Sequence, residues 1–453
     1  MNAEQQSSKP SQTGSSLRRE VGVLGAVMMG LGSIMGTGVF VSIGIAAGIT
    51  GPSVVLAIAL AALVAMCNAF SSAQLAASHP VSGGTYEYGY KYLHPMFGFS
   101  AGWMFLCAKS ASAATAALGT AGYLLHIFNV DNQTWIVPSG LLAVVALTVI
   151  VLSGIRRSNT VNIIIVSITL SVLMLFVIFG LPRLFQSGQD HFAPFFDGQN
   201  GSSDFVSNMH GLFYATALMF VAYTGYGRIA TLGEEVKNPR KTIPKAIVST
   251  LVVSAIIYLM VSFVAIGAVG ADLFGRATMA QAAPLEVVAA SISNADQAIS
   301  DAKLLPRIIA IGAVTAMLGV LLNLILGLSR VLLAMGRRAD MPKATTHISK
   351  HGGTPTVSVV VVGTIIAGLV CTGSVKTTWT FSAFTVLVYY AITNLAALRL
   401  SKQDRLYPRI FSWCGLISCL FLAFWVEWRI WAIGLAILFV GLCFHKYRQC
   451  SAH

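Results

Sequence analysis

The sequence predicts an all-α integral membrane protein of twelve transmembrane helices, built as an inverted repeat of five plus five helices with two more appended. Three observations lead there. Composition is 56% hydrophobic and 10% charged, with a mean hydropathy of +0.76, which suits a bilayer and not a large soluble core. Apolar runs recur along the chain at the length of about 20 residues that a helix needs to cross a membrane. The first and sixth of these runs are each interrupted by glycine near mid-span. Their offset of five spans is odd, so the two segments run in opposite directions, as in inverted repeats whose site lies where broken helices meet.

Taken in order, residues 1–17 are Ser/Gln/Lys-rich without an apolar run, and read as a disordered cytoplasmic tail with no signal peptide. A helical core follows over 18–400, with repeats at about 18–182 and 205–400, and 401–453 supplies two further helices and a short cytoplasmic C-terminus. The expected spans run roughly 22–48, 53–76, 97–126, 134–153, 159–182, 205–232, 246–269, 306–336, 355–372, 377–397, 410–427 and 429–446. Span one carries Gly30, Gly32, Ser33, Gly36, Thr37 and Gly38 in its middle. Each glycine costs up to ~1 kcal/mol against alanine in a helix. A break there frees N–H and C=O groups at bilayer depth, which is tolerated only beside protein or a polar cavity. Freed N–H groups suit a carboxylate, and freed carbonyls suit an ammonium group or a cation. Close helix packing through small residues is the other reading of the same glycines. Span six repeats the pattern with Thr224, Gly225 and Gly227.

Charge sets the orientation. With the N-terminus inside, the tail and inner loops hold 20 Lys/Arg and the opposite loops hold six, so both termini are expected in the cytoplasm of a cell whose inner or plasma membrane holds the chain. The net charge of +13 is spread over short loops facing anionic lipid and forms no single patch, so nucleic acid is not an expected partner. Trp425, Trp428 and Trp431 sit at the turn between the last two spans, as interfacial aromatics. The seven cysteines show no metal-type pair, and no metal or cofactor is expected.

The segments Gly32 to Phe40, Pro80 to Tyr88, Gly102-Trp103, and Phe220 to Gly225 with Glu234 to Pro239 resemble the amino acid–polyamine–organocation superfamily of secondary transporters. The likeness runs from about residue 18 to 400 and is near the bacterial amino acid permeases and their cationic amino acid transporter relatives. It implies a leucine-transporter fold and an amino acid as substrate, moved by symport or antiport. A polyamine or other organic cation transporter, or an amino acid exchanger, is the alternative within that fold. A channel or membrane enzyme fits less well, since no repeated filter-like signature and no HExxH-type ligand set occurs.

Carried over by position, the resemblance places the substrate α-carboxylate on amides around Gly36, Thr37 and Gly38. It places the α-amino group on carbonyls near Ile34 and around Phe220, Val221 and Ala222, with Thr37 and Thr224 adding hydroxyls beside Gly225. Gly36 and Gly38 are expected to leave room for the ligand backbone and to adopt open φ/ψ. Many relatives carry an aromatic ring where this chain has Val221, which implies a different, roomier side-chain pocket.

Lys109 is the sharpest ionisable candidate, because charged groups inside a bilayer are functional by default. It lies 12 residues past Phe97, about 18 Å along a helix, and farther still from the other end. It either couples transport to protons or caps the freed carbonyls of a broken helix. Proton-coupled relatives often hold a lysine in span five, where this chain has Thr169, so the family's usual proton route is not supported here. Paired hydroxyls for sodium are also missing near Met317 to Val320, where Thr315 stands alone. Arg228, just past the second break, either locks the inner half-helix through Glu235 or serves as a gate. The oligomeric state is left open.

Overall fold

Among the described residues, every regular element is helical, apart from one isolated parallel bridge between Val21 and Val236. The computed structural model describes residues 21–80, 83–128, 130, 132–154, 159–196, 204–230, 236–295, 303–349 and 354–450. The expected tail, Arg18-Arg19, Glu234 and Glu235 lie outside the described residues. In chain order the helices are α1 (Val23–Ile34), α2 (Ile43–Thr50), α3 (Val54–Ser78), α4 (Thr85–Tyr92), α5 (Pro95–Ile127) and α6 (Ile136–Leu152). They continue with α7 (Asn159–His191), α8 (Phe205–Tyr223), α9 (Gly227–Ala230), α10 (Pro239–Val269), α11 (Ala271–Gln281) and α12 (Pro284–Ala295). The last are α13 (Leu304–Arg337), α14 (Thr356–Val370), α15 (Val375–Leu398), α16 (Arg409–Ala423) and α17 (Trp428–Cys450).

Eight helical stretches among the described residues are long and apolar enough to cross a membrane, and α14 and α16 are apolar but shorter. One of the eight runs from Val23 to Ser78 and covers the first two expected spans. The helix is interrupted between them by Gly51, whose φ of 65° is a conformation only glycine adopts freely, and by Pro52, which leads into the next helix. The short α4 was not foreseen, because a hydropathy reading registers spans and misses an eight-residue polar helix. The same holds for α11 and α12 in the connection after α10.

The central helix is α5, 33 residues long and packed against α13 and α15. Its middle is a run of small residues, Ser110 to Ala117, buried throughout. A helix hidden from lipid needs no apolar surface, and small residues let neighbours approach and bond. Ser112 and Thr115 accordingly pair with Ser382 and Thr378 of α15, each at 2.7 Å. The α10 helix packs on α3 and α7, α1 packs on α10 and α7, and α17 lies against α5 and α15.

Candidate substrate site

The first span leaves helical geometry where the glycines crowd. After Ile34 the chain turns through Met35 at φ −79° and ψ 77°, then resumes as one π-helical turn over Gly38–Ser42 that continues into α2. A glycine-rich segment resists propagation of the regular ladder, and a single π turn absorbs the mismatch. Within this turn the Gly36 amide donates to the Ile34 carbonyl at 3.0 Å, and the Gly36 carbonyl accepts from Val39 and Phe40. Thr37 is 3% exposed, and its hydroxyl has no hydrogen-bond partner among the described residues.

The second interruption is a single 3₁₀ turn, Thr224–Tyr226, between α8 and the one-turn α9. The two interruptions touch at Gly225. A Cβ there would stand 2.5 Å from the Ser33 carbonyl oxygen and 2.6 Å from Ile34 Cγ1, so glycine is required by close approach. Tyr258 of α10 ties the two together. Its hydroxyl lies 2.9 Å from the Ile34 carbonyl oxygen and 3.2 Å from that of Ala222, and its one proton is shared between them, adding to the Gly36 amide already on Ile34.

Lys109 reaches the same place from α5. Its Nζ donates to Thr224 Oγ1 at 2.8 Å, while that hydroxyl donates in turn to the Val221 carbonyl at 2.7 Å. Tyr390 of α15 donates to the Thr224 carbonyl at 3.3 Å, and its ring meets Phe220 edge-on at 5.5 Å. Four elements from distant parts of the chain, α5, α8, α10 and α15, therefore converge on the second interruption, and α10 carries the link to the first.

Such a set of helix ends at mid-bundle, with carbonyls, amides, hydroxyls and one ammonium group, can hold a zwitterion. It offers no nucleophile with an adjacent base. The segment Gly98 to Gly102 spells GxSxG, yet it lies inside α5, where Ser100 donates to the Met96 carbonyl at 2.7 Å, and a nucleophile elbow needs a strand-to-helix turn. The sequence matches the amino acid permease family over residues 25–449, nearly the whole chain. The chain belongs to the amino acid permease family. An uncharacterized transporter of Mycobacterium tuberculosis is 38% identical over 96% of this chain and 92% of its own length. The branched-chain amino acid permease of Bacillus subtilis is 28% identical over 94% and 92%. A vacuolar cationic amino acid transporter of Arabidopsis thaliana is 25% identical over 78% of this chain and 58% of its own length. This permease is thus a multi-pass membrane transporter and not an enzyme.

Ile34, Gly36, Thr37 and Gly38 all fall at the first interruption, and Phe220, Val221, Ala222, Thr224 and Gly225 at the second. Two differences from expectation stand out. The Gly36 amide and the Ile34 carbonyl bond to each other, and the Ile34 and Ala222 carbonyls already accept from Tyr258. Gly36 and Gly38 also do not adopt positive φ. A Cβ on Gly36 would lie 2.5 Å from Val320 Cγ2, and one on Gly38 would lie 2.3 Å from Tyr258 Oη. Both glycines are needed by neighbouring protein atoms.

Thr169 stays on its own helix, where its hydroxyl donates to the Ile165 carbonyl at 2.8 Å. Thr315 does the same with Ile311. Arg228 is half-buried on α9, directly after the 3₁₀ turn. Tyr258 and Tyr390 were missed by the sequence reading. A signal existed for the first, because Thr250, Ser254, Tyr258 and Ser262 recur every four residues along an otherwise apolar span and all are fully buried. That spacing puts them on one helix face, turned toward protein.

Proposed function

We propose that this permease is a secondary active transporter that moves an amino acid across the membrane by alternating access. In this reading, the substrate backbone is held between the interruptions at Ile34 to Gly38 and Phe220 to Gly225. The observation that carries it is the direct contact of the two interruptions at Gly225, bridged by Tyr258. Paired interruptions in oppositely directed helices are the usual midplane binding site of inverted-repeat transporters, and the permease family supports an amino acid as cargo. Ten core helices in a leucine-transporter arrangement, two added helices and cytoplasmic termini complete the proposal, the last resting on the excess of basic residues in the inner loops. Lys109 is the proposed coupling group, since a lysine bonded to the Thr224 hydroxyl senses the state of the second interruption directly.

Opening and closing access requires the Ile34, Ala222 and Thr224 carbonyls to exchange partners. Tyr258 and Tyr390 supply donors that can occupy the second lone pairs of these carbonyls when a substrate ammonium does not. The test is uptake of radiolabelled amino acids by the purified protein in liposomes. Saturable uptake, with counterflow accelerated by unlabelled substrate inside, is expected. Flux that rises linearly with concentration and shows no counterflow would refute a carrier.

A further inference from the structure

We infer that Lys109 sets the charge class of the substrate: the site takes an amino acid whose side chain bears a carboxylate and rejects one whose side chain is cationic. The inference rests on the transporter reading and goes beyond it by naming the side-chain chemistry. It starts from a count of charges. The chain has 16 Asp and Glu residues, and none lies within an expected pass short of its end, Asp190 standing beyond the fifth, one residue from the end of α7. Every other described carboxylate sits at a helix end or in a connection. Four of these already face a neighbour: Glu87 faces Arg338, Asp272 faces Arg276, Glu286 faces His126 and Glu427 faces Lys376. A fifth, Asp340, accepts from Tyr86 and Tyr90. Among the described residues, then, no carboxylate supplies a counter-charge to the ammonium group of Lys109.

The immediate surroundings of Lys109 sharpen this. An ammonium group has three N–H donors. One goes to Thr224 Oγ1 at 2.8 Å, the single hydrogen bond of that side chain among the described residues. Thr224 spends its own proton on the Val221 carbonyl, so its lone pair is fixed toward Lys109 and holds the ammonium group at the second interruption. Among the described residues two donors of this deep cation have no acceptor, and a buried charge is stable only when paired and hydrogen-bonded. A neutral amino acid brings one carboxylate and one ammonium, which cancel and which the backbone groups of the two interruptions can hold. A side-chain carboxylate adds the missing negative charge and accepts charge-assisted bonds from Nζ. A cationic side chain would place like charges together in a site of low dielectric, a repulsive device of the kind that sets specificity.

The decisive experiment compares near-isosteric probes in liposomes holding the full-length protein. Inhibition constants of L-glutamate, L-glutamine and L-arginine are measured for the wild type, Lys109→Gln and Lys109→Arg. We expect the wild type to favour glutamate over glutamine by about 10- to 100-fold, the worth of hydrogen bonds to a charged group. Arginine should be the weakest competitor. The glutamate-to-glutamine ratio should collapse toward one in Lys109→Gln and persist in Lys109→Arg. Equal or weaker binding of glutamate in the wild type overturns the inference, whether or not Lys109→Gln yields folded protein, and so does an unchanged ratio in that variant. If glutamine or arginine is carried in preference to glutamate, the transporter reading stands and this one alone falls. If no amino acid is carried, both fall.

Discussion

Replacing Gly38 by alanine perturbs the junction of the two interruptions at a single atom. The new Cβ would stand 2.3 Å from Tyr258 Oη, 3.1 Å from Ala222 Cβ and 3.2 Å from Tyr258 Cζ. Ordinary contact needs about 3.5 Å, so the phenol oxygen must retreat by roughly 1 Å. That retreat breaks its bonds to Ile34 and Ala222, now 2.9 and 3.2 Å long. Losing this donor at the Ala222 carbonyl, and at that of Ile34, which keeps the Gly36 amide, costs about 1–3 kcal/mol, and forcing a methyl into a filled core costs about 1–3 kcal/mol more. We therefore expect Gly38→Ala to lose about 2–6 kcal/mol, read as a lower thermal midpoint of the purified protein in detergent together with loss of uptake. Tyr258→Phe removes only the hydroxyl and should cost about 1–3 kcal/mol. In the double variant the clashing oxygen is gone and Cζ has only a few tenths of an ångström to yield. The two losses should then fall short of additivity by at least about 1 kcal/mol, as expected of residues in direct contact. A native midpoint and native uptake in Gly38→Ala, or strict additivity in the cycle, would refute this account of the junction.

Two further outcomes are expected. Val221 is 4% exposed, and Val221→Phe should shift preference toward small amino acids by about 10- to 200-fold in relative inhibition constants; an unchanged ranking would remove Val221 from the side-chain pocket. Lys109→Met should lose accumulation driven by a pH gradient while counterflow of a neutral amino acid persists, because exchange needs no net proton movement; gradient-driven accumulation at wild-type level would remove Lys109 from coupling.

The membrane character, the approximate places of the long helices and the two glycine–threonine segments were legible in the sequence alone. The reason is that a bilayer imposes length, hydropathy and backbone satisfaction on each segment by itself, with no reference to its neighbours. Lys109 was marked for the same reason, since its depth follows from counting residues along one helix. Its partner did not follow. Thr224 is 115 positions away, and Tyr258 is 224 positions from the carbonyl of Ile34 that it holds. Linear spacing fixes which residues share a face of one helix, but not which face of another helix meets it, because that depends on how α5, α8, α10 and α15 pack in three dimensions. The glycines show the divide most plainly. Sequence marked Gly36, Gly38 and Gly225 as places where the helix falters. Only the tertiary structure decided what each must clear, Val320 from α13, Tyr258 from α10 and the Ser33 carbonyl from α1, because the space beside a backbone atom belongs to whatever packs against it.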